Sequence, residues 1–303
     1  MSARPRSAFT LFQLLVALAL LALAFALFLP AVAKMRAAAA RMQSTNNLKQ
    51  IGIAALSYHD ANGALPPGCD ANHFSAAAYL LPYVEQGNLF NTIDFKKSVD
   101  DDANATARKI VVKTFLSPLD PVKTVKDDYG PTNYLFNAGS KPGLADNDGV
   151  FYQDSKTKLQ GITDGTSNTL LAAETLKGDG GTKAEDVRRQ YVLLKKDALK
   201  GIKDDAGVQD FKDDKNSAGD RCASWMDGRF LQGTFNTRLK LNDERPDVSC
   251  GGLGGASSMR SLQDGVNAGL CDGSVRFVTN GISIETWRAA STRSGGEILG
   301  SDW

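Results

Sequence analysis

From Leu14 to Leu29 this chain carries only apolar side chains, with Phe9, Leu11 and Phe12 just ahead of them. Such a segment approaches the roughly 20 residues a helix needs to cross a bilayer, and a soluble core helix is rarely apolar all round. Arg4 and Arg6 precede it without an acid, which favours an N-terminus kept in the cytoplasm, whereas Lys34, Arg36 and Arg41 just beyond the run weigh against that orientation. The expectation is a single-pass protein of the cytoplasmic (inner) membrane, its C-terminal domain outside the cytoplasm and a place at the cell surface left open. Ala31-Val32-Ala33 offers a second fate, because it has the small-x-small form of a secretory cleavage site that would release the chain after Ala33.

Beyond the apolar run the helical pattern continues. Met35, Ala38, Met42, Thr45, Leu48, Ile51, Ala55 and Tyr58 recur at steps of three and four, one stripe of a long amphipathic helix that Asn62-Gly63 and Pro66-Pro67 close. Together the two halves predict a continuous helix from about Thr10 to His59, kinked at Pro30 at most. Farther on, "FSAAAYLLPYVEQGNLF" and "DANATARKIVVKTFLSPLDP" read as short helices. "NYLFNAG", "GVFYQ", "TKLQGI", "NTLLAAET", "RFLQGTF" and "VRFVTNG" read as strands, punctuated by Asp-Gly at 148, 164, 227, 264 and 272. Between them lies a charged insert, about 177–215. Its capping box Thr182-x-x-Glu185 is followed by Val187, Tyr191, Leu194, Ala198 and Ile202 at helical spacing. The fold class is therefore read as α+β: a long N-terminal helix, transmembrane half plus amphipathic half, packed on an antiparallel sheet with a charged helical insert.

Composition excludes some functions. With 35 basic and 34 acidic residues the formal net charge is +1, without the basic excess that nucleic-acid binding requires. Four cysteines in an exported chain suggest one or two disulfides, and no pair has the C-x-x-C spacing of a zinc site. There is no G-x-S-x-G elbow and no G-x-x-x-x-G-K-[ST] loop. The only imidazoles are His59, at the end of the long helix, and His73, in a loop, and neither has an activated nucleophile beside it. The chain is read as no enzyme, with no cofactor. Asp146, Asn147 and Asp148 in "ADNDG" are oxygen ligands of the kind calcium prefers, yet they lack the twelve-residue EF-hand spacing and serve equally as turn residues.

Two groups of motifs carry a resemblance. "AFTLFQLLVALALL" resembles the prepilin-type signal of type IV pilins and pseudopilins. "NNLKQIGIAALSYHDANGALPPG", "LLPYVEQGNLFNTIDF", "FLSPLDP", "TNYLFNAG" and "LCDGSVRFVTNGIS" are similar to a large bacterial pilin-like family of unknown function that ends in a His-x9-Asp-Gly motif. The resemblance implies a leader of residues 1–8 cut by prepilin peptidase between Ala8 and Phe9, a transmembrane part of the spine at 9–33, and an exported α+β domain at 34–303. Pro30 stands where pilins carry a helix-bending proline. Implied partners are that peptidase, the membrane, and paralogues or copies of itself packed spine to spine; pseudopilin kinship also brings calcium into view.

Departures from the family pattern are specific. Ala8 stands where pilin signals have Gly, and Gln13 where they have the Glu that pairs with a neighbour's amino terminus. Leu262 stands at the family histidine, so only Asp272 and Gly273 remain of the C-terminal motif, and Ser117 occupies a frequent Cys position. Cys250 and Cys271 lie at family Cys positions, which implies their pairing; Cys222–Cys250 and free buried thiols stay open beside it. The function expected is an exported, membrane-tethered pilin- or pseudopilin-like structural or interaction protein, a minor subunit of a surface fibre or of secretion machinery. Its alternative is a secreted module that binds a cell-wall or extracellular polymer.

Overall fold

A computed structural model describes residues 11–181, 186–201 and 216–303. The chain divides into two units, Met1–Met42 and Gln43–Trp303. One helix, α1 (Leu11–Asn62), contributes to both. In the second unit Leu48, Ile51 and Ala55 of the stripe are fully buried, because here sheet and helices pack on that face; in the first unit Met35 and Met42 are exposed. Gly63 stops the helix at φ 76°, its N–H bonded to the His59 carbonyl at 2.7 Å, a left-handed ending that suits glycine.

Short helices follow: α2 (Ala76–Leu80), α3 (Gly87–Phe90) and α4 (Ala105–Arg108). The Ser75 hydroxyl caps α2 by accepting the Ala78 N–H at 3.2 Å. The strands are β1 (Tyr134–Gly139), β2 (Leu170–Glu174), β3 (Tyr191–Leu194), β4 (Ser217–Ala218), β5 (Thr234–Asn236), β6 (Asp247–Cys250), β7 (Gly255–Ala256), β8 (Gly265–Leu270) and β9 (Val275–Thr279). The last helix is α5 (Ile284–Ala289), capped by Ser283.

Two sheets form, in the orders β5-β1-β2-β8-β9 and β4-β3-β6-β7. In the larger, β1 runs parallel to β5 and antiparallel to β2; in the smaller, β3 runs parallel to β6 and antiparallel to β4. Both sheets are mixed. The larger is covered on both faces: Tyr134 and Phe136 join the core around Leu48 and Ile51 of α1, whereas Leu135 joins Val266, Ala268 and Trp287 on the other side. The alternation follows from the two-residue period of a strand.

The expected architecture is corrected on three points. A single antiparallel sheet on a spine is replaced by two mixed sheets, one of five strands and one of four. The insert is not a helix in its described part: Tyr191–Leu194 is a strand and Lys196–Gly201 a 3-10 turn, while Thr182, Glu185 and Ile202 lie outside the described residues. Tyr-Val-Leu-Leu is strongly strand-forming, and its full four-residue ladder with β6 outweighs the helical spacing of its neighbours. Finally, among the described residues no helix is long and apolar enough to cross a membrane. The single-pass inner-membrane placement and its transmembrane half are withdrawn on that finding.

Smaller differences have local causes. "GVFYQ" forms no strand, because Phe151 N–H bonds back to the Asn137 carbonyl at 2.8 Å in an irregular turn, and Leu159–Gly161 within "TKLQGI" is a 3-10 turn. The strand β8, Gly-Val-Asn-Ala-Gly-Leu, is buried throughout and so shows no polar alternation by which to recognise it.

Candidate interaction site

The first unit presents an unusual surface. Leu11 is 76% exposed, Phe12 74%, Leu29 67% and Met35 71%, and Leu14, Leu15, Leu18, Leu20, Leu21 and Leu23 are also exposed. Gln13 lies exposed among them, and α1 runs on through position 30. Ala8 and Phe9, the expected scissile pair, lie outside the described residues. Apolar exposure at these positions marks a binding surface, since burying one Leu or Phe contributes about 1.5–3 kcal/mol.

The C-terminal motif turns out to be a docking turn. Asp272 and Gly273 join β8 to β9; the Asp272 Oδ1 accepts the Ser274 N–H at 2.9 Å and the Ser274 hydroxyl at 2.6 Å, and Gly273 adopts φ +83°. This turn presses on α1 where Gly52 has no side chain: a Cβ there would stand 3.0 Å from the Gly273 Cα. Leu262, half-exposed in the connection before β8, lacks both a charge and a hydrogen-bonding group. Gly52→Val should therefore lower stability by about 1–3 kcal/mol through overpacking, and Gly52→Ala by less. Chemical unfolding of both variants checks this, and an unchanged Val variant would refute the close approach.

Buried polar networks hold the second unit. The Glu174 carboxylate, on β2, accepts from Ser44 Oγ at 2.6 Å, Asn267 Nδ2 at 2.7 Å and Ser117 Oγ at 3.1 Å. Asp120 meets Arg189 at 3.0 Å and Lys177 at 3.6 Å. Burial pushes the Asp120 carboxyl up, but the Lys177 and Arg189 charges and the bonds from Lys177 N–H and Asn133 outweigh it and hold it below the usual range. Burial lowers the Lys177 ammonium against the pull of Asp120. Asp247 lies between Arg260, at 2.7 Å, and Arg221, at 2.8 Å, all three side chains fully buried. The Arg221 contact is an ion pair without hydrogen-bond alignment, for Asp247 Oδ2 has no directed donor.

The remaining sequence candidates have structural surroundings. His59 Nε2 accepts the Leu159 N–H at 3.3 Å, joining the helix end to a loop. His73 has φ 68° in a turn where its N–H meets the Asp70 carbonyl at 3.0 Å. In "ADNDG" the Asp148 carboxylate accepts from Ser140 N–H and hydroxyl, and Asn147 Oδ1 accepts from Lys141 and Asp148 N–H, so these oxygens serve the loop itself. Among the described residues no group of three or more His, Cys, Asp or Glu could hold a metal ion.

The implied Cys250–Cys271 bond is absent: both thiols are free and buried, as are Cys69 and Cys222. Cys250 packs with Val192 and Val248 of the smaller sheet, Cys271 with the core around α1, so family position did not translate into proximity. Burial pushes the Cys222 and Cys250 thiols up to about 11, which keeps them protonated at neutral pH.

A cleft of about 210 Å³ in the second unit was not foreseen from the sequence. Lys126, Tyr191, Asp220, Ser224, Arg229 and Ser249 line it among others, drawn from distant stretches of the chain.

No curated protein and no solved structure matches this chain. A family model described as "Protein of unknown function (DUF1559)" matches residues 33–285, most of the chain, and this protein belongs to that family.

Proposed function

We propose that this protein is a non-enzymatic, pilin-like structural subunit. It assembles with copies of itself or with like chains through the apolar first part of α1, after prepilin peptidase has cut between Ala8 and Phe9. The observation that carries the reading is the set of exposed apolar side chains described between Leu11 and Leu29. Like helices are its fitting occupant, since they offer the same uncharged, leucine-rich surface, and packing of such side chains is the main gain in helix association. The Asp272-Gly273 turn then has a supporting role: it fixes the hairpin on α1 beside Gly52, so that the folded unit stays braced while helices pair. The prepilin-type signal and the truncated His-x9-Asp-Gly motif belong to this reading.

Gln13 sets the strength of assembly. An acid here would pair with a neighbour's amino terminus, whereas glutamine offers hydrogen bonds alone, each contributing about 0.5–1.5 kcal/mol. The native protein should begin at Phe9 by intact mass and N-terminal sequencing, and sediment only weakly as an assembly. Gln13→Glu should raise the sedimented fraction several-fold. A mature chain beginning at Lys34 would remove the assembling segment and overturn the reading. Abundant assembly of the wild type, with no gain from Gln13→Glu, would show that charge at this position does not govern it.

A further inference from the structure

The cleft beside β3 carries an inference independent of the helix, and it stands or falls separately from the assembly reading. We propose that it binds a neutral saccharide, taking one sugar ring as the recognised unit. Its volume of about 210 Å³ lies below the range of drug-sized pockets, so the occupant is small or is the end of something larger. Its floor is firm: Leu193 on β3 and Ser249 on β6 are register partners in the parallel ladder, and both line the cleft.

The charges around it are already matched. Lys126 Nζ meets the Asp220 carboxylate at 2.6 Å, and the Tyr191 hydroxyl donates to the other oxygen of that carboxylate at 2.7 Å. Arg229 clasps Asp227 through Nε, at 2.9 Å, and Nη2, at 2.6 Å, and reaches Asp100 at 3.1 Å. Burial opposes ionisation of Asp220, but its bonds from Lys126 and Tyr191 hold the carboxyl below the usual range. A phosphate entering here would face Asp220 and Asp227, and a cation would face Lys126 and Arg229. Neither sign of charge is favoured.

What remains open is hydrogen bonding of mixed direction. Ser224, 2% exposed, is among the residues that line the cleft, and its buried hydroxyl has no hydrogen-bond partner. Buried hydroxyls are rarely left so in native proteins. Arg229 uses Nε and Nη2 on carboxylates, leaving Nη1 as a donor. The paired carboxylates keep lone pairs that accept. A sugar hydroxyl both donates and accepts, so it satisfies such a set where a simple ion cannot. Tyr129, Leu193 and Phe230 supply an apolar border for the C–H face of a ring. Gln232 is committed elsewhere, its Oε1 accepting the Ala223 N–H at 2.9 Å and its Nε2 donating to the Asp220 carbonyl at 2.8 Å, which holds the wall in place.

The test uses the full chain, with glucose, galactose, mannose and N-acetylglucosamine as probes and inorganic phosphate and glycine as charged controls, read by saturation-transfer NMR and calorimetry. At least one neutral sugar should bind saturably and ahead of both controls. Ser224→Ala removes no partner from the fold, so it should leave the melting temperature unchanged while weakening sugar binding about fivefold, the effect of one ordinary hydrogen bond. Tyr129→Ala, at the rim, should weaken it as well and serves if the first variant does not fold. No saturable sugar binding up to about 50 mM, well beyond a millimolar Kd, would overturn the proposal. So would preference for phosphate or glycine, or sugar binding unaltered in both variants.

Discussion

Asp247→Ala should cost about 3–5 kcal/mol of stability, the largest effect expected from any single side chain in this protein. Arg221 and Arg260 are both fully buried, and the Asp247 carboxylate is the negative charge that lies between them, at 2.8 and 2.7 Å. Their other bonds go to neutral oxygens: Arg221 Nη2 donates to Thr175 Oγ1 at 2.9 Å, and Arg260 Nη2 to the Arg245 carbonyl at 2.6 Å. Taking guanidinium groups out of water is costly, and only a carboxylate in contact offsets it. Asp247 also opens β6 and accepts the Ser258 N–H at 2.9 Å, so its loss loosens the smaller sheet as well. Urea unfolding followed by tryptophan fluorescence measures the change. Replacing Asp247, Arg221 and Arg260 together by apolar residues of similar volume should cost less than Asp247→Ala alone, because no charge is then stranded. A loss below about 1 kcal/mol for the single variant would mean that the arginines find water or another acid.

Glu174→Leu should lose about 2–4 kcal/mol, from three buried donors deprived of a charged acceptor. Those donors come from α1 (Ser44), the loop before β1 (Ser117) and β8 (Asn267), so one carboxylate ties β2 to the helix, to that loop and to the neighbouring strand. Ser117 is the position where the resembled family often has cysteine, and here its hydroxyl serves this network. Glu174→Gln keeps the shape and one acceptor oxygen and should lose less, about 1–2 kcal/mol. The same unfolding experiment, with Ser44→Ala as a second site, checks the assignment: within one network the two losses must fall short of adding. Full additivity would show that Ser44 and Glu174 act independently.

Which features were legible beforehand follows from the range of each interaction. Leu48, Ile51 and Ala55 repeat at helical spacing, Gly63 supplies a left-handed stop, and both signals lie within a turn or two of the residues they govern. The β1, β2 and β9 runs are rich in aromatic or aliphatic residues, and Asp272-Gly273 marks the hairpin before β9, which is again local chemistry. Family membership was also legible, from the order of motifs alone.

Tertiary structure decided the rest. Tyr191–Leu194 has helical spacing around it but becomes a strand, because Asp247–Cys250, more than fifty residues later, supplies a parallel ladder that no local pattern announces. Cys250 and Cys271, whose pairing only the family resemblance implied, fall into different cores, since strand placement sets which thiols meet. The cleft likewise exists only after Lys126, Tyr191, Asp220 and Arg229 have been folded together. The sequence by itself determined the elements whose causes are local, the helix stripe and its stop, three strands and one turn. Long-range ladders and buried ion pairs, whose energy arises only when distant groups leave water together, determined how those elements became two mixed sheets with a polar cleft.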